Sequence, residues 1–429
     1  MLKAITAFFL SFLTFFASIA NNCMKVTPPA DNTDFTPVVR FMVESDNHIN
    51  YAGDKPCLRL SKAMKLGYAI SENDREYNKL DAVMFVGDIA DNGRRDQFYG
   101  FKSTIDASVK EGTQVLTLLA CKSHDGSTLD EGILEYFEKL TGNGADNHVV
   151  INGFHFITLS QSKNEGEKYS EYQRKWLTAQ LDAAVKDDPS KPIFVAHHEL
   201  VKNTVYGGSD LDGWGIDYFR DIFNKYPQIV HFSGHSHYPV NDPRSIWQGE
   251  FTAVGTGSMK YLEFTVDKDR VIHPKGNGDE AEFWICEVDA NNRIRLRAYD
   301  LTEQQMLCEY ILESPLSREY TPEKQAARSS APTFKNANVK LKKSFGSYSV
   351  TVDRAYSTDG MPVFLYRAYV LNKDGEELGM SYYLPKYYSY TLDDTATIKI
   401  GKISKDAAAI KIVAENAYGK QSAPILISL

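Results

Sequence analysis

Cysteine is scarce in this chain: five residues in 429, at positions 23, 57, 121, 286 and 308, with no Cys-x-x-Cys pair among them. That spacing excludes zinc knuckles, and a chain of this length needs no disulfide staple to hold its core. Disulfides are permitted if the chain is exported, but their pairing is not readable from sequence, and free buried thiols are the alternative. Positive charge is also short, with 48 Lys and Arg against 56 Asp and Glu and a net charge of −8. A nucleic-acid backbone would be repelled overall, which argues against a nucleic-acid scaffold as partner. A small phosphorylated substrate is not excluded, because a local pair of metal ions outweighs a diffuse surface charge. Long apolar runs are missing after residue 20, and roughly the last hundred residues lack helical periodicity.

One apolar run is present, at the start. Met1-Leu2-Lys3 is followed by an uncharged stretch from Ala4 to Ile19, with small residues at Ser18 and Ala20. This is the pattern of an export signal over residues 1–20; a retained anchor is the alternative, for which the run is short. The expected location is therefore secreted, periplasmic or cell-surface. Cys23 offers a point of lipid attachment to a membrane or cell surface, although Asn21-Asn22 before it departs from the small-residue pattern of such sites. Residues 21–36, with Pro28-Pro29, read as a leader.

From residue 37 to about 312, apolar strands alternate with helical patterns, which implies βαβ units and a largely parallel sheet. Strands are expected at Pro37–Glu44, Ala82–Val86, Gln114–Leu119, Pro192–Ala196 and Ile229–Phe232, and helices around Leu58–Asn73, Arg95–Val109, Leu129–Leu140 and Ser170–Val185. Polar residues fall just after these strands: Asp46 and His48, Asp88 and Asp91, Ser123 and His124, His197, then His235 and His237. Strand ends of an open α/β sheet lie along one edge, so these distant residues can converge. Carboxylate and imidazole together suit Zn, Fe or Mn better than Mg or Ca. Asp88, delivered by the strand that ends on Gly87, can bridge two such ions. Two ions ~3.5–4 Å apart clamp a phosphoryl oxygen and make hydroxide available near neutral pH. Each motif alone is weak, but five in one order, each after an apolar strand, are not independent accidents.

Residues 313–332 are charged and carry Pro315, Pro322 and Pro332, and read as a linker. From 333 to 429, period-two segments such as Tyr348-Val350-Val352 and Ile410-Ile412-Ala414 are separated by turn signals, which suggests a small all-β, immunoglobulin-like sandwich. The run from Ile412 to Gly419 resembles the closing hairpin of fibronectin type III domains. Tyr382-Tyr383 and Tyr387-Tyr388 are candidates for surface or carbohydrate contact, with core filling as the alternative.

Asp46-x-His48, Gly87-Asp88-x-x-Asp91, Ser123-His124-Asp125, His197 and Gly234-His235-x-His237 resemble the calcineurin-like metallophosphoesterase family over roughly Val38 to Leu301. The resemblance implies a four-layer αββα sandwich and a dinuclear metal site. One ion would take Asp46, His48, Asp88 and His237, and the other Asp88, Ser123, His197 and His235. His197 is preferred to His198 because it follows the strand directly. His124 would assist the leaving oxygen, and Asp91 would order its loop and His124. The implied function is an exported phosphoesterase, a phosphodiesterase rather than a monoesterase, in which a metal-bound hydroxide attacks phosphorus. One departure stands out: Lys122-Ser123 replaces the family's Gly-Asn, and a Ser hydroxyl is a weaker neutral ligand than an Asn amide. The rival reading is therefore a weakened or inactive surface binding protein. The insertion Leu200–Trp214, between two ligand motifs, is expected to rim the cleft or to be an ordinary surface loop.

Overall fold

The computed structural model describes residues 34–120, 124–125, 132–161, 169–209, 213–267, 270–272, 280–336 and 338–429. The export run, Cys23, Cys121, Lys122 and Ser123 lie outside these residues. Two six-stranded sheets face one another. The first comprises β1 (Pro37–Glu44), β2 (Ala82–Val86) and β3 (Gln114–Leu118), with β10 (Glu282–Asp289), β11 (Ile294–Asp300) and β12 (Gln305–Leu312), in the order β12-β11-β10-β1-β2-β3. The second holds β4 (Asp146–Ile151), β5 (Phe154–Leu159), β6 (Ile193–Ala196), β7 (Ile229–Ser233), β8 (Ile246–Gln248) and β9 (Thr252–Gly255), in the order β8-β9-β7-β6-β5-β4. In the first sheet the parallel pairs β1-β2 and β2-β3 lie at one end and antiparallel pairs fill the rest. In the second, parallel pairs occupy the middle and antiparallel hairpins both edges. The largely parallel sheet expected from alternation is therefore two facing mixed sheets, as the expected four-layer sandwich requires.

Strand alternation builds the layers. Val39, Phe41 and Val43 of β1 point between the sheets, with Met84 and Val86 of β2 and Phe194 and Ala196 of β6. Met42, Val83 and Phe85 point the other way, against the helices α1 (Lys55–Glu72), α2 (Arg95–Ser108) and α3 (Ile133–Thr141). Ile193 and Val195 of β6 face α4 (Glu171–Asp187) and α5 (Arg220–Phe223). The result is helix, sheet, sheet, helix. Local chemistry starts the helices as their sequences suggest: Asp54 caps α1 by accepting from the Cys57 amide at 3.0 Å, and Ser170 and Gln173 close a capping box on α4. Cys57, Cys286 and Cys308 are free thiols.

The all-β part is a sandwich. β13 (Val339–Ser344), β14 (Ser347–Asp353) and β17 (Thr395–Lys402) form one sheet, and β15 (Val363–Leu371), β16 (Glu377–Tyr383), β18 (Ala409–Asn416) and β19 (Ile425–Ser428) the other, with Val350, Ile398, Tyr366 and Ile412 between them. The stretch read as a linker carries a short helix, α6 (Pro322–Arg328), whose Gln325 donates to the Ile246 carbonyl at 3.0 Å. Tyr387 and Tyr388 pack with Tyr206, Tyr238 and Phe264 where the sandwich meets the α/β layers, so neither is free to meet carbohydrate. Arg244 anchors this contact. It lies 3.8 Å over the Tyr206 ring and 4.5 Å over Phe364, and grips both oxygens of Asp242, which also accepts from the Tyr387 hydroxyl.

Candidate metal centre

The loops that leave β1 and β2 are zipped together beyond the strands. The amides of Asp46, His48 and Ile49 donate to the carbonyls of Gly87, Asp88 and Ile89 at 2.9–3.0 Å, and the Asp91 amide returns to Ile49. This locks two motifs 42 residues apart in the chain into one rim. The price is backbone strain: among the described residues, five of the ten non-glycine positions with positive φ are Asp46, His48, Asp88, His235 and His237. Such a concentration at one spot is what a functional site held by its surroundings shows. Two glycines permit the close approach. A Cβ on Gly87, at φ +81°, would lie 2.5 Å from Ala120 Cβ and 2.7 Å from His198 Nδ1; one on Gly234 would lie 2.6 Å from Asp46 Oδ2.

Most of the expected residues meet here. Asp46, His48 and His237 form one group with metal-ligating spacing, and Asp88, His198 and His235 another. Asp46 Oδ1 is 3.1 Å from His237 Nε2, and Asp88 Oδ2 is 3.3 Å from His198 Nε2. The groups interlock, since Asp46 Oδ1 is 3.9 Å from His198 Nε2 and Asp88 Oδ2 is 3.8 Å from His48 Nε2. The other ring nitrogens are held from behind: His198 Nδ1 pairs with the Val86 carbonyl at 2.8 Å and His237 Nδ1 with that of Tyr261 at 3.0 Å. Backing of this kind orients imidazoles for a cation.

His197 is a correction. Its ring lies among Tyr169, Phe219 and Phe223, with the His231 ring 4.2 Å away, on the helix side of the second sheet. Alternation along β6 explains this: Ile193, Val195 and His197 point one way, and Phe194, Ala196 and His198 the other. Following the strand directly is no guide to the face.

His48, Asp91 and His124 make a third group. His48 Nδ1 faces Asp91 Oδ1 at 3.6 Å, His124 Nδ1 lies 3.0 Å from the Asp91 carbonyl, and the His48 and His124 rings meet edge to face at 4.4 Å. Asp91 is thus beside His124, and its carboxylate is also bound by Lys260. Lys260 was not legible as a site residue, because nothing in Ser258-Met259-Lys260-Tyr261 marks it. Asp125 follows His124 and had a signal, the Ser-His-Asp motif itself. It is fully buried and accepts from the amides of Ala90 and Ala120 at 2.8 and 2.7 Å, tying the β2 loop to the end of β3. Trp214 of the insertion meets the His235 ring edge to face at 5.0 Å.

The electrostatics fit a cation. Burial works against charge on His198, but Asp88 and then Asp46 overcome it and raise its pKa to about 10. Burial would likewise raise Asp88, yet the charges of His198 and His48 hold it far below the carboxylate range. His235, desolvated and beside His198, drops to about 4. Without metal, a proton on His198 sits between two buried carboxylates. A metal ion there would take the proton's place, as its ligands must be deprotonated. His198 Nε2 and Asp46 Oδ1 are buried and make no well-directed hydrogen bond, so both are available as donors to a metal.

No protein-family model matches the chain. Over 204 residues it is 28% identical to a protein of Arcobacter nitrofigilis described as a probable glycerophosphodiester phosphodiesterase, GpdQ, a match that takes in 45% of this chain and 70% of that protein. Among solved structures, a purple acid phosphatase from yellow lupin (Lupinus luteus) seeds aligns over 64% of this chain and 53% of its own, at 12% identity and a TM-score of 0.45. A hypothetical protein from Pyrococcus horikoshii aligns over 61% of this chain and 87% of its own, at 12% identity and a TM-score of 0.31. The chain spans about half the length of the lupin phosphatase. The matched relative is described as a phosphodiesterase, and this chain brings together three Asp/His groups of metal-ligating spacing.

Proposed function

We propose that this chain is a metal-dependent phosphoesterase that hydrolyses phosphate diesters in preference to monoesters. The observation that carries the reading is the interlocking of Asp46, His48 and His237 with Asp88, His198 and His235 at one rim. A donor set of carboxylate and imidazole suits Mn, Fe or Zn. Ions held there supply Lewis acidity at a phosphoryl oxygen and water of near-neutral pKa. The chain's own groups do the rest. Asp46 and Asp88 offset the positive charge of the centre, and Val86 and Tyr261 fix the imidazoles through their carbonyls. His124, with Nδ1 held by the Asp91 carbonyl, presents Nε2 to protonate the leaving oxygen. Similarity to a protein described as a glycerophosphodiester phosphodiesterase supports the diester preference.

The test is metal analysis of purified protein, then hydrolysis of bis(p-nitrophenyl) phosphate and p-nitrophenyl phosphate after reconstitution with Mn, Fe or Zn. Two ions per chain and faster diester cleavage are expected. Absence of bound metal after reconstitution, with both esters inert, overturns the reading. The second reading, a binding protein with a weakened centre, is favoured by Lys122-Ser123 in place of Gly-Asn. One ion per chain with no turnover would select it. We further read the chain as exported through residues 1–20, which cell fractionation tests. We read the sandwich, a three-stranded sheet facing a four-stranded one, as fibronectin type III-like.

A further inference from the structure

One face of the sheet β13-β14-β17 collects lysines. Register places Lys340 opposite Thr351 and Lys342 opposite Ser349, and carries these rows on to Thr397 and Lys399 of β17, with Lys402 opposite Ser347. The reverse face carries Val350, Val352, Ala396 and Ile398 into the sandwich core, so the lysine rows look outward. Lys340, Lys342, Lys399 and Lys402 are all exposed. The acidic residue on this face, Asp353, sits at the far end and is taken by Asn338 at 2.8 Å. From residue 333 onward the chain holds 13 Lys and Arg against 9 Asp and Glu, although its net charge as a whole is −8.

The hairpin that carries β13 into β14 ends in an unusual tip. Phe345 and Gly346, at φ +46° and +78°, form the two-residue turn between Ser344 and Ser347. Such turns favour Asn-Gly, and a bulky residue in left-handed backbone is a real outlier. Phe345 is 101% exposed, so no contact among the described residues offsets that cost. Lys343 beside it lies 5.1 Å over the Tyr348 ring. An unpacked aromatic tip bordered by ammonium groups matches the chemistry of a bilayer interface: the ring enters the boundary of the acyl chains and the lysines meet anionic headgroups. A soluble polyanion would satisfy the lysines but offer the ring no apolar phase.

We propose that this hairpin tip and lysine face dock the protein on an anionic phospholipid bilayer. No helix among the described residues is long and apolar enough to cross a membrane. The docking is independent of whether the metal centre is catalytic.

The experiment is flotation of the full chain with phosphatidylcholine vesicles, with and without phosphatidylglycerol, at low and high salt. The N-terminal apolar run contributes to both vesicle types, so the readout is the difference between them. Binding should be tighter on anionic vesicles and weaken with salt. Each Lys→Gln change should cost about fivefold, so Lys340→Gln, Lys342→Gln and Lys399→Gln together should remove about a hundredfold of that preference. Phe345→Ser should weaken anionic-vesicle binding with the salt dependence retained. All four positions are exposed, and an unchanged melting temperature and metal content would show that the variants fold. Equal binding to both vesicle types, or an anionic preference that survives the triple variant, overturns the proposal. So does retention on heparin with Phe345→Ser floating as the parent does, which would assign the face to a soluble polyanion.

Discussion

Two adjacent histidines should behave oppositely when replaced. His198 is fully buried, its Nε2 3.3 Å from Asp88 Oδ2 and 3.9 Å from Asp46 Oδ1. His198→Ala leaves a buried carboxylate without its counter-charge, which in metal-free protein should cost about 3–5 kcal/mol. In metal-loaded protein it removes one donor of the second group. If that ion is lost, several kcal/mol of charge stabilisation go with it, and turnover should fall about a thousandfold. His197→Phe places a ring of similar size among Tyr169, Phe219 and Phe223, and should keep metal and rate while changing stability by less than about 2 kcal/mol. The assay pairs metal content and diester turnover with urea unfolding in the presence and absence of chelator. The pH dependence sharpens it. His198 is raised from 6.5 to about 10 in the metal-free fold, so its contribution is fully present below pH 6.5 and is lost as pH rises toward 10. Metal-free stability should therefore fall by about 1.4 kcal/mol per pH unit across that window. His198→Ala should flatten this slope, and metal should abolish it by replacing the proton. Full metal and rate in His198→Ala, with both lost in His197→Phe, would refute the assignment.

Other perturbations probe the supports of the site. Gly87→Ala forces a Cβ into Ala120 and His198 Nδ1 at a positive φ; it should destabilise by about 1–3 kcal/mol and lower metal occupancy, read by thermal melting and metal analysis. His124→Ala should retain both ions but lose turnover by about 10²–10⁴-fold, and undiminished turnover would remove its role as proton donor. Arg244→Ala leaves Asp242 buried beside Tyr387 and strips the cation from Tyr206 and Phe364. With the Arg side chain a quarter exposed, the cost should be about 2–3 kcal/mol, seen as faster proteolytic release of the sandwich without loss of metal.

Much of the rim was legible in the chain. Short apolar runs ending in Gly-Asp or Gly-His, and Asp-x-His after Val43, announce strands that deliver ligands to an edge, because strand ends are where an open α/β sheet exposes side chains. Asp46, His48, Asp88, His235 and His237 all come to that edge, and Asp91 and His124 meet beside it. Helix starts were less evenly readable: α4 was expected from Ser170, which caps it, but α1 was expected near Leu58 and begins at Lys55 behind the Asp54 cap, and α3 was expected near Leu129 and runs from Ile133.

What the chain alone could not decide was facing. Ile193-Phe194-Val195-Ala196 is apolar on both sides because β6 is covered on both, by the other sheet and by helices. With no polar side to mark, the alternation is present but its sense is invisible, and His197 and His198 are equivalent until the layers are assembled. The same holds for Tyr387 and Tyr388, whose burial against Tyr206 and Phe264 depends on where the sandwich docks; the two facing sheets were implied by the family resemblance, not by the alternation of strands and helices. Local pattern determined which residues end strands and start helices; only the packing of layers determined which neighbour each side chain meets.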